Sequence, residues 1–336
     1  MNIQLAMKRN CLILSIAIFM MLLAATSCSS SKKTESHQQD TSSGDFDAPS
    51  DEPILSDTFI LPDIPEDITD NDKRAVYLVM HYWDRFDFSN RVLIERSEIT
   101  EQAFVDYINI LNYVPKVVAD TSLKETIIKS EVDSMMHSHF GNLFEKYFYD
   151  PNSPFRNDEF YIPVLKELIA SNVLSVTESS VYKFQYEMVM KNRVGEKANN
   201  FNYTLVSGIT QSLYNLQSEY TLLMFSNPGC QTCEVVTRQL NNSDAINKAL
   251  ALNSRTRTML TILTLYPDED IDLWLASLPK MPQNWVHGYD KGMEITHKRL
   301  YDIKAIPTLY LFDKEKNVIL KDTSIEAIDS FFSTSQ

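Results

Sequence analysis

The stretch YTLLMFSNPGCQTC, residues 220–233, predicts the central strand of a sheet and the helix that follows it. Its first seven residues, Tyr220–Ser226, form an almost continuous apolar run, which is typical of a strand covered on both faces. A helix is expected from Gln231, just after a Pro-Gly turn. Cys230 therefore follows a buried strand at the entry to a helix, and Cys233 lies in the first turn of that helix.

The spacing of the two cysteines suits thiol-disulfide exchange. Residues three apart on a helix share one face, so the two sulfurs come within bonding distance. The N-terminus of a helix stabilises a thiolate, and such sites lower a cysteine pKa from about 8.5 to roughly 3.5–7.5. Cys230 is expected to be the exposed, attacking thiolate, and Cys233, one turn deeper, the resolving thiol. The redox centre would be this disulfide, so no cofactor is expected.

Other roles for the pair have less support. A structural zinc site needs four ligands. The sequence has no second Cys-x-x-Cys and its six histidines are scattered, so no metal is expected. A structural disulfide is the other alternative, but it would close a very small loop, where little stability is gained. The peroxiredoxin spacing Pro-x-x-x-Thr-x-x-Cys fails, because Thr232 is adjacent to Cys233.

Apolar runs and helical patterns alternate after residue 194. Two further runs, Thr258–Leu265 and Thr308–Phe312, predict buried strands, and Val318–Leu320 predicts a hairpin partner. The predicted helices cover residues 268–278, 292–303 and 324–332. The order strand, helix, strand, helix, strand, strand, helix predicts a mixed sheet with helices on both faces.

Three segments together resemble the TlpA/redoxin branch of the thioredoxin-like family, over residues 195–336. They are VGEKANNFNYTLVSG, YTLLMFSNPGCQTC and YDIKAIPTLYLFDKEKNVILKD. The resemblance implies an α/β thioredoxin-like domain in which Pro307 is cis, Cys230 is the nucleophile and Cys233 resolves. It also implies that Ile306 and Pro307 pack over the disulfide and offer backbone hydrogen bonds to an extended peptide.

Two positions depart from the pattern of that family. Gly229 stands where the family has a tryptophan, and Val236 stands where it commonly has a glutamate. The sequence therefore does not determine whether the site reduces, oxidises or isomerises disulfides.

Residues 1–27 predict a lipoprotein signal peptide. Lys8 and Arg9 precede an apolar run, Cys11–Ala25, that suits a secretory signal. The segment LAATSCSSS then resembles the lipobox of bacterial lipoproteins. The resemblance implies cleavage before Cys28 and attachment of lipid to it. An ordinary signal peptide with a chance cysteine is the alternative.

Residues 28–65 are polar and rich in Ser, Asp and Pro, which predicts a disordered tether. Residues 66–194 predict an all-α domain, because apolar residues recur at helical spacing without strand-like alternation. The predicted helices cover residues 72–86, 101–111, 161–168 and 178–191. Thr100 is expected to cap the second of these helices, and Pro163 to start or kink the third.

The passage KYFYDPNSPFRNDEFYIPVL, residues 146–165, is dense in aromatic and turn residues. With HYWDRFDF and ITEQAFVDYI, it resembles an uncharacterised domain that precedes thioredoxin-like domains in bacterial lipoproteins. In one interpretation, Arg156, Asn157 and Tyr161 form a recognition surface. In the other, the aromatic residues are core and the Asn-Ser-Pro segment is a capped turn.

The charge and the motifs together predict a function. A formal net charge of −14 repels phosphate backbones, so nucleic-acid binding is not expected. The prediction is an α+β two-domain chain anchored in the cell envelope by lipid on Cys28, on the outer membrane and facing the periplasm. Its expected partners are envelope proteins with thiols or disulfides and a membrane or periplasmic electron donor. The alternative is a binding or scaffold lipoprotein, whose helical domain holds a protein or glycan and whose thioredoxin fold is not catalytic.

Overall fold

A computed structural model of the chain describes residues 58–334, which belong to one compact unit. The first part of this range is helical. Its helices are α1 (Asn71–His81), α2 (Val92–Glu95), α3 (Thr100–Ile110), α4 (Lys116–Ser130), α5 (Ser134–Phe144), α6 (Asp158–Ala170) and α7 (Val176–Val189). A 3-10 turn, Leu111–Tyr113, extends α3, and a π-helical turn, Glu145–Tyr149, extends α5. The all-α prediction for this part is confirmed.

Short polar side chains start four of these helices. Asp70 caps α1, Asp133 caps α5 and Asn157 caps α6, each by accepting a backbone N–H of the first turn. Ser175 and Glu178 form a capping box at α7. Such caps satisfy N–H groups that have no partner within the helix.

The predicted Thr100 cap is wrong, and of the two roles predicted for Pro163, that of starting the helix is wrong. Thr100 is the first residue of α3 and does not cap it; its hydroxyl is buried and donates to the carbonyl of Leu93 at 2.7 Å. Pro163 lies inside α6 rather than at its start, because the helix begins five residues earlier, after the Asn157 cap.

Aromatic rings fill the core of the helical part. Phe104 and Phe144 meet edge to face with their centroids 4.7 Å apart, and Trp83 meets Phe140 in the same way at 5.2 Å. Such pairs contribute about 0.5–1.5 kcal/mol each beyond the area they bury. The rings of KYFYDPNSPFRNDEFYIPVL belong largely to this core.

The predicted tether differs from the structure at its C-terminal end. Phe59 stacks on Tyr82 at 5.1 Å and packs against the edge of Trp83. Asp63 pairs with Arg85 at 2.5 Å. The folded part therefore begins before residue 66, because one aromatic residue in a polar segment completes the core.

The second part of the chain is a seven-stranded mixed sheet with order β2-β1-β5-β4-β3-β6-β7. The strands are β1 (Asn202–Leu205), β2 (Thr210–Ser212), β3 (Tyr220–Phe225), β4 (Leu260–Tyr266), β5 (Val286–Tyr289), β6 (Thr308–Phe312) and β7 (Val318–Leu320). The helices are α8 (Gln231–Asn242), α9 (Asp244–Ala251), α10 (Ile271–Ser277), α11 (Glu294–His297) and α12 (Ile325–Thr334). Single 3-10 turns cover Leu213–Asn215 and Leu278–Lys280.

The two faces of β3 pack against different sets of side chains. Leu222 and Met224 belong to a cluster with residues of α8, α9 and α12. Leu223 and Phe225 belong to a cluster on the opposite face, which includes Tyr301. This alternation confirms the prediction of a central strand covered on both sides.

Several elements of the sheet part were not predicted. The hairpin of β1 and β2, the strand β5 and the helix α9 are all present. The helix expected over residues 292–303 is reduced to the single turn α11. The mixed sheet with helices on both faces is nevertheless confirmed.

Replacing Tyr161 by phenylalanine should lower the free energy of unfolding by about 1–3 kcal/mol. The Tyr161 hydroxyl donates to Gln185 Oε1 at 2.7 Å, and both side chains are buried, so the variant leaves an unpaired acceptor. Tyr113→Phe is the matched control, because Tyr113 is 64% exposed. The control should shift the denaturant midpoint very little. Equal effects of the two variants would mean that Tyr161 is solvated, as a recognition surface requires.

Candidate active site

The pairing of β3 with β6 brings two distant segments together at one edge of the sheet. These strands are antiparallel, and Phe225, the last residue of β3, pairs with Thr308, the first residue of β6. The chain that leaves β3 towards Cys230 therefore lies beside the chain that enters β6 from Pro307.

Cys230 occupies the N-cap of α8. Its Sγ accepts the backbone N–H of Cys233 at 3.1 Å, so the sulfur lies against the positive end of the helix. The two cysteines form a disulfide with their Cα atoms 5.2 Å apart. Cys230 is partly exposed, whereas Cys233 is only 3% exposed. A reagent from solvent can thus reach the first sulfur more readily than the second.

The backbone conformation at position 229 explains why a glycine stands where the thioredoxin-like family has a tryptophan. The carbonyl of Asn227 accepts the N–H of Cys230, which closes a turn. Gly229 has φ +75° in that turn, a conformation that costs other residues about 1–2 kcal/mol. No atom within 4 Å would meet a Cβ there, so backbone conformation rather than space favours glycine.

The peptide bond between Ile306 and Pro307 is cis. The carbonyl oxygen of Ile306 lies 3.8 Å from Cys230 Sγ, and Ile306 packs in the same apolar cluster as both cysteines. Val236 also packs in this cluster. The four residues predicted for the site, Cys230, Cys233, Ile306 and Pro307, are therefore neighbours.

A cavity of about 580 Å³ opens beside Cys233, between α8 and α10. Its lining includes Asn227, Cys233, Arg238, Trp274, Met281 and His287. Sequence reasoning missed this cavity because it missed β5, which carries His287. The run VHGY has no continuous apolar stretch that would have revealed the strand.

His287 is held neutral in that cavity. Its Nε2–H donates to the carbonyl of Pro282 at 2.9 Å, which leaves Nδ1 to accept the hydroxyl of Thr264 at 2.6 Å. Burial lowers the pKa of His287, and the bond to Pro282 offsets this only in part. Since both ring nitrogens are occupied, His287 is a fixed polar group of the cavity wall rather than a free base.

The recognition surface predicted in the helical part is wrong for Tyr161, which is fully buried. Asn157 is engaged as the cap of α6. Arg156 is partly buried and donates to the backbone oxygen of Asp322, which follows β7. These three residues do not share one exposed face, because each of them is used in packing or capping.

The predicted signal peptide, the lipidated Cys28 and most of the predicted tether lie outside the described residues. Within residues 58–334, no helix is long and apolar enough to cross a bilayer. In the same range, no three His, Cys, Asp or Glu side chains are grouped in a way that could hold a metal ion.

Comparison with known proteins gives the chain relatives along most of its length. Residues 27–192 match the family model described as a domain of unknown function, DUF5106. A crystal structure of a thioredoxin-like protein from Bacteroides caccae ATCC 43185 is 45% identical; the match covers 83% of this chain and 99% of that one, with a TM-score of 0.79. None of the curated proteins matches the chain.

Two shorter structures each match less than half of the chain. The C-terminal domain of an uncharacterized protein from Bacteroides fragilis NCTC 9343 is 43% identical, over 42% of this chain and 98% of that one, with a TM-score of 0.40. A domain of a possible thiol-disulfide isomerase from Cytophaga hutchinsonii ATCC 33406 is 27% identical, over 44% and 95%, with a TM-score of 0.36.

The match to the Bacteroides caccae protein spans both the helical part and the sheet part, and the two sequences are 45% identical. The helical part is the domain of unknown function, and the mixed sheet with its helices is the thioredoxin-like domain. The chain belongs to the family of thioredoxin-like proteins in which a DUF5106 domain precedes the thioredoxin-like domain.

Proposed function

We propose that the chain is a lipid-anchored thiol-disulfide oxidoreductase of the cell envelope that acts through Cys230 and Cys233. One observation carries this proposal. Cys230 Sγ lies at the N-terminus of α8, accepts a helix N–H, and faces the carbonyl that precedes a cis proline. A sulfur in that setting is stabilised as a thiolate, and Cys230 is partly exposed to solvent.

The exchange has two steps. In the reduced protein, the Cys230 thiolate attacks one sulfur of a substrate disulfide, which forms a mixed disulfide and releases one substrate thiolate. The Cys233 thiol then loses its proton and attacks Cys230 Sγ. That step releases the second substrate thiolate and leaves the Cys230–Cys233 disulfide. The substrate has gained two electrons and the protein has lost two, and the reverse sequence oxidises a dithiol.

The proposed substrates are envelope proteins, because a protein disulfide offers an extended backbone beside its sulfur. The backbone groups of Ile306 and Pro307 are the proposed contacts, by the addition of a peptide as an extra strand segment. A membrane or periplasmic electron donor would return the site to its starting state. Lipid on Cys28 would hold the protein at the outer membrane, facing the periplasm.

In the reduced chain, Cys230 should react with iodoacetamide at least about tenfold faster than Cys233, because it is the more exposed and the better-stabilised thiolate. Mass spectrometry of the two cysteine sites over time measures both rates. The same chain in concentrated urea is the control, where the two rates should converge. Equal rates in the folded chain would contradict the assignment of nucleophile and resolving thiol.

Cys233→Ser should accumulate mixed disulfides with envelope proteins, because the resolving step is blocked. Non-reducing gels and mass spectrometry of the captured species would identify the substrates. Cys230→Ser is the matched control and should capture none, since it lacks the nucleophile. If neither variant captures a partner, the oxidoreductase proposal fails and the scaffold alternative is favoured.

Cys28→Ala should abolish incorporation of labelled fatty acid and should move the protein out of the membrane fraction. The reason is that the thioether and the new N-terminus are both formed on Cys28. Ser30→Ala, two residues further along, is the control and should keep the label. Label retained in Cys28→Ala would contradict lipidation of Cys28. No label in the unsubstituted protein would favour the ordinary signal peptide.

A further inference from the structure

A largely buried cluster of charged side chains joins the helical domain to the thioredoxin-like domain. Two of its members lie at the start of α6 and four lie on the segments that flank β6 and β7. Its members, called the ion cluster below, are Arg156, Asp158, Asp302, Lys304, Lys321 and Asp322. Three acids and three bases give it a formal charge of zero, and burial raises the pKa of Asp322.

Asp158 is the centre of the ion cluster. Its Oδ1 lies 3.0 Å from Lys304 Nζ, and its Oδ2 lies 2.8 Å from Lys321 Nζ. Lys304 also reaches Asp302 Oδ2 at 2.8 Å. The lysine side chains are only 4% and 7% exposed, so solvent screens these contacts weakly. Burial opposes ionisation of Asp158, but Lys321 and Lys304 outweigh it and lower its pKa.

The two lysines lie at the two ends of the segment that carries the cis proline. Lys304 precedes Pro307 by three residues. Lys321 directly follows β7, the hairpin partner of the strand that starts after Pro307. Between them, Ile306 directs its carbonyl towards the disulfide. A continuous series of contacts therefore runs from Asp158 in the helical domain to the loop that faces the reactive sulfur.

We propose that Asp158 is a positioning residue for the redox site. By holding Lys304 and Lys321, it fixes the cis-proline loop at the place where a peptide disulfide must lie beside Cys230. This inference rests on the proposed function, because it assigns the helical domain a part in the binding of protein disulfides. The helical domain then serves as the anchor of the peptide-binding loop.

Buried ion pairs suit this positioning role better than they suit the stabilisation of a domain interface. Desolvation cancels much of the attraction in a buried ion pair, so the pair adds little net stability compared with apolar packing. The pair instead fixes the orientation of the lysine side chain, since each ammonium group must lie against a particular carboxylate oxygen. Arg156 adds a further fixed point by donating to the backbone oxygen of Asp322 at 2.6 Å. The chain is thus also held just after β7, beside the start of β6.

The test compares Asp158→Asn with Glu159→Gln, in a full chain whose Cys11 and Cys28 are replaced by serine. Glu159 is the matched control: it is the next residue of α6, and it also forms an ion pair, with Arg193 at 2.7 Å. Neither Glu159 nor Arg193 has a hydrogen bond or ion pair with residues 303–308. Both variants remove one negative charge from the first turn of the same helix.

Two disulfides serve as probes of the reduced chains: a disulfide-bridged peptide and 4,4′-dithiodipyridine, which is too small to use the peptide-binding loop. Asp158→Asn should slow reaction with the peptide about tenfold, because a displaced loop misaligns the peptide. Its reaction with dithiodipyridine should stay within about twofold, because α8 still stabilises the Cys230 thiolate. Glu159→Gln should change neither rate by more than about twofold, because neither residue of its ion pair is bonded to the loop.

Hydrogen exchange of residues 303–308 provides a readout that does not depend on redox activity. Asp158→Asn should raise exchange there about tenfold without a matching rise in β3, and Glu159→Gln should not. Unchanged exchange in Asp158→Asn, or the same rise in both variants, overturns the positioning role. If the chain with Asp158 and Glu159 intact reacts with neither disulfide probe, the proposed function fails. Hydrogen exchange of residues 303–308 then decides by itself whether Asp158 positions the loop. Lys304→Gln provides the same comparison if Asp158→Asn does not fold.

Discussion

The pairing of β3 with β6 is the constraint on which the site depends. β3 is hydrogen-bonded along both edges, to β4 and to β6, so its C-terminal end is held in place. Because Phe225 pairs with Thr308, the cysteine loop and the cis-proline loop leave the sheet side by side. The start of α8 then sets the direction of the Cys230 sulfur. The chemistry proposed for the pair follows from these two backbone facts.

The helical domain contributes to the same edge of the sheet. Its buried carboxylate, Asp158, meets lysines on both sides of the cis-proline hairpin. A thioredoxin-like domain that stood alone would leave Lys304 with Asp302 but without this second anion. Under the role proposed for Asp158, the fusion of the two domains has a physical consequence at the cysteine pair, which an independent recognition surface would not have.

Local patterns predicted much of the sheet and little of the contacts between domains. The apolar runs YTLLMF and TLYLF revealed β3 and β6, because buried central strands have almost no polar interruption. β5 was missed, since His287 and Gly288 interrupt its four residues. Tyr161 could be core or surface, because periodicity does not distinguish a buried tyrosine from an exposed one. The pair of Asp158 and Lys304 spans 146 residues, and no local signal marks it.

The most direct test of the account is a redox titration of Cys230 and Cys233 in glutathione buffers, read by mass spectrometry after thiol alkylation. The account predicts one reversible transition of the pair, with about 30 mV for each tenfold change in the ratio of disulfide to dithiol, as a two-electron couple requires. A pair that stays fully oxidised across the glutathione range would be a structural disulfide. That result would contradict the claim that this site exchanges disulfides.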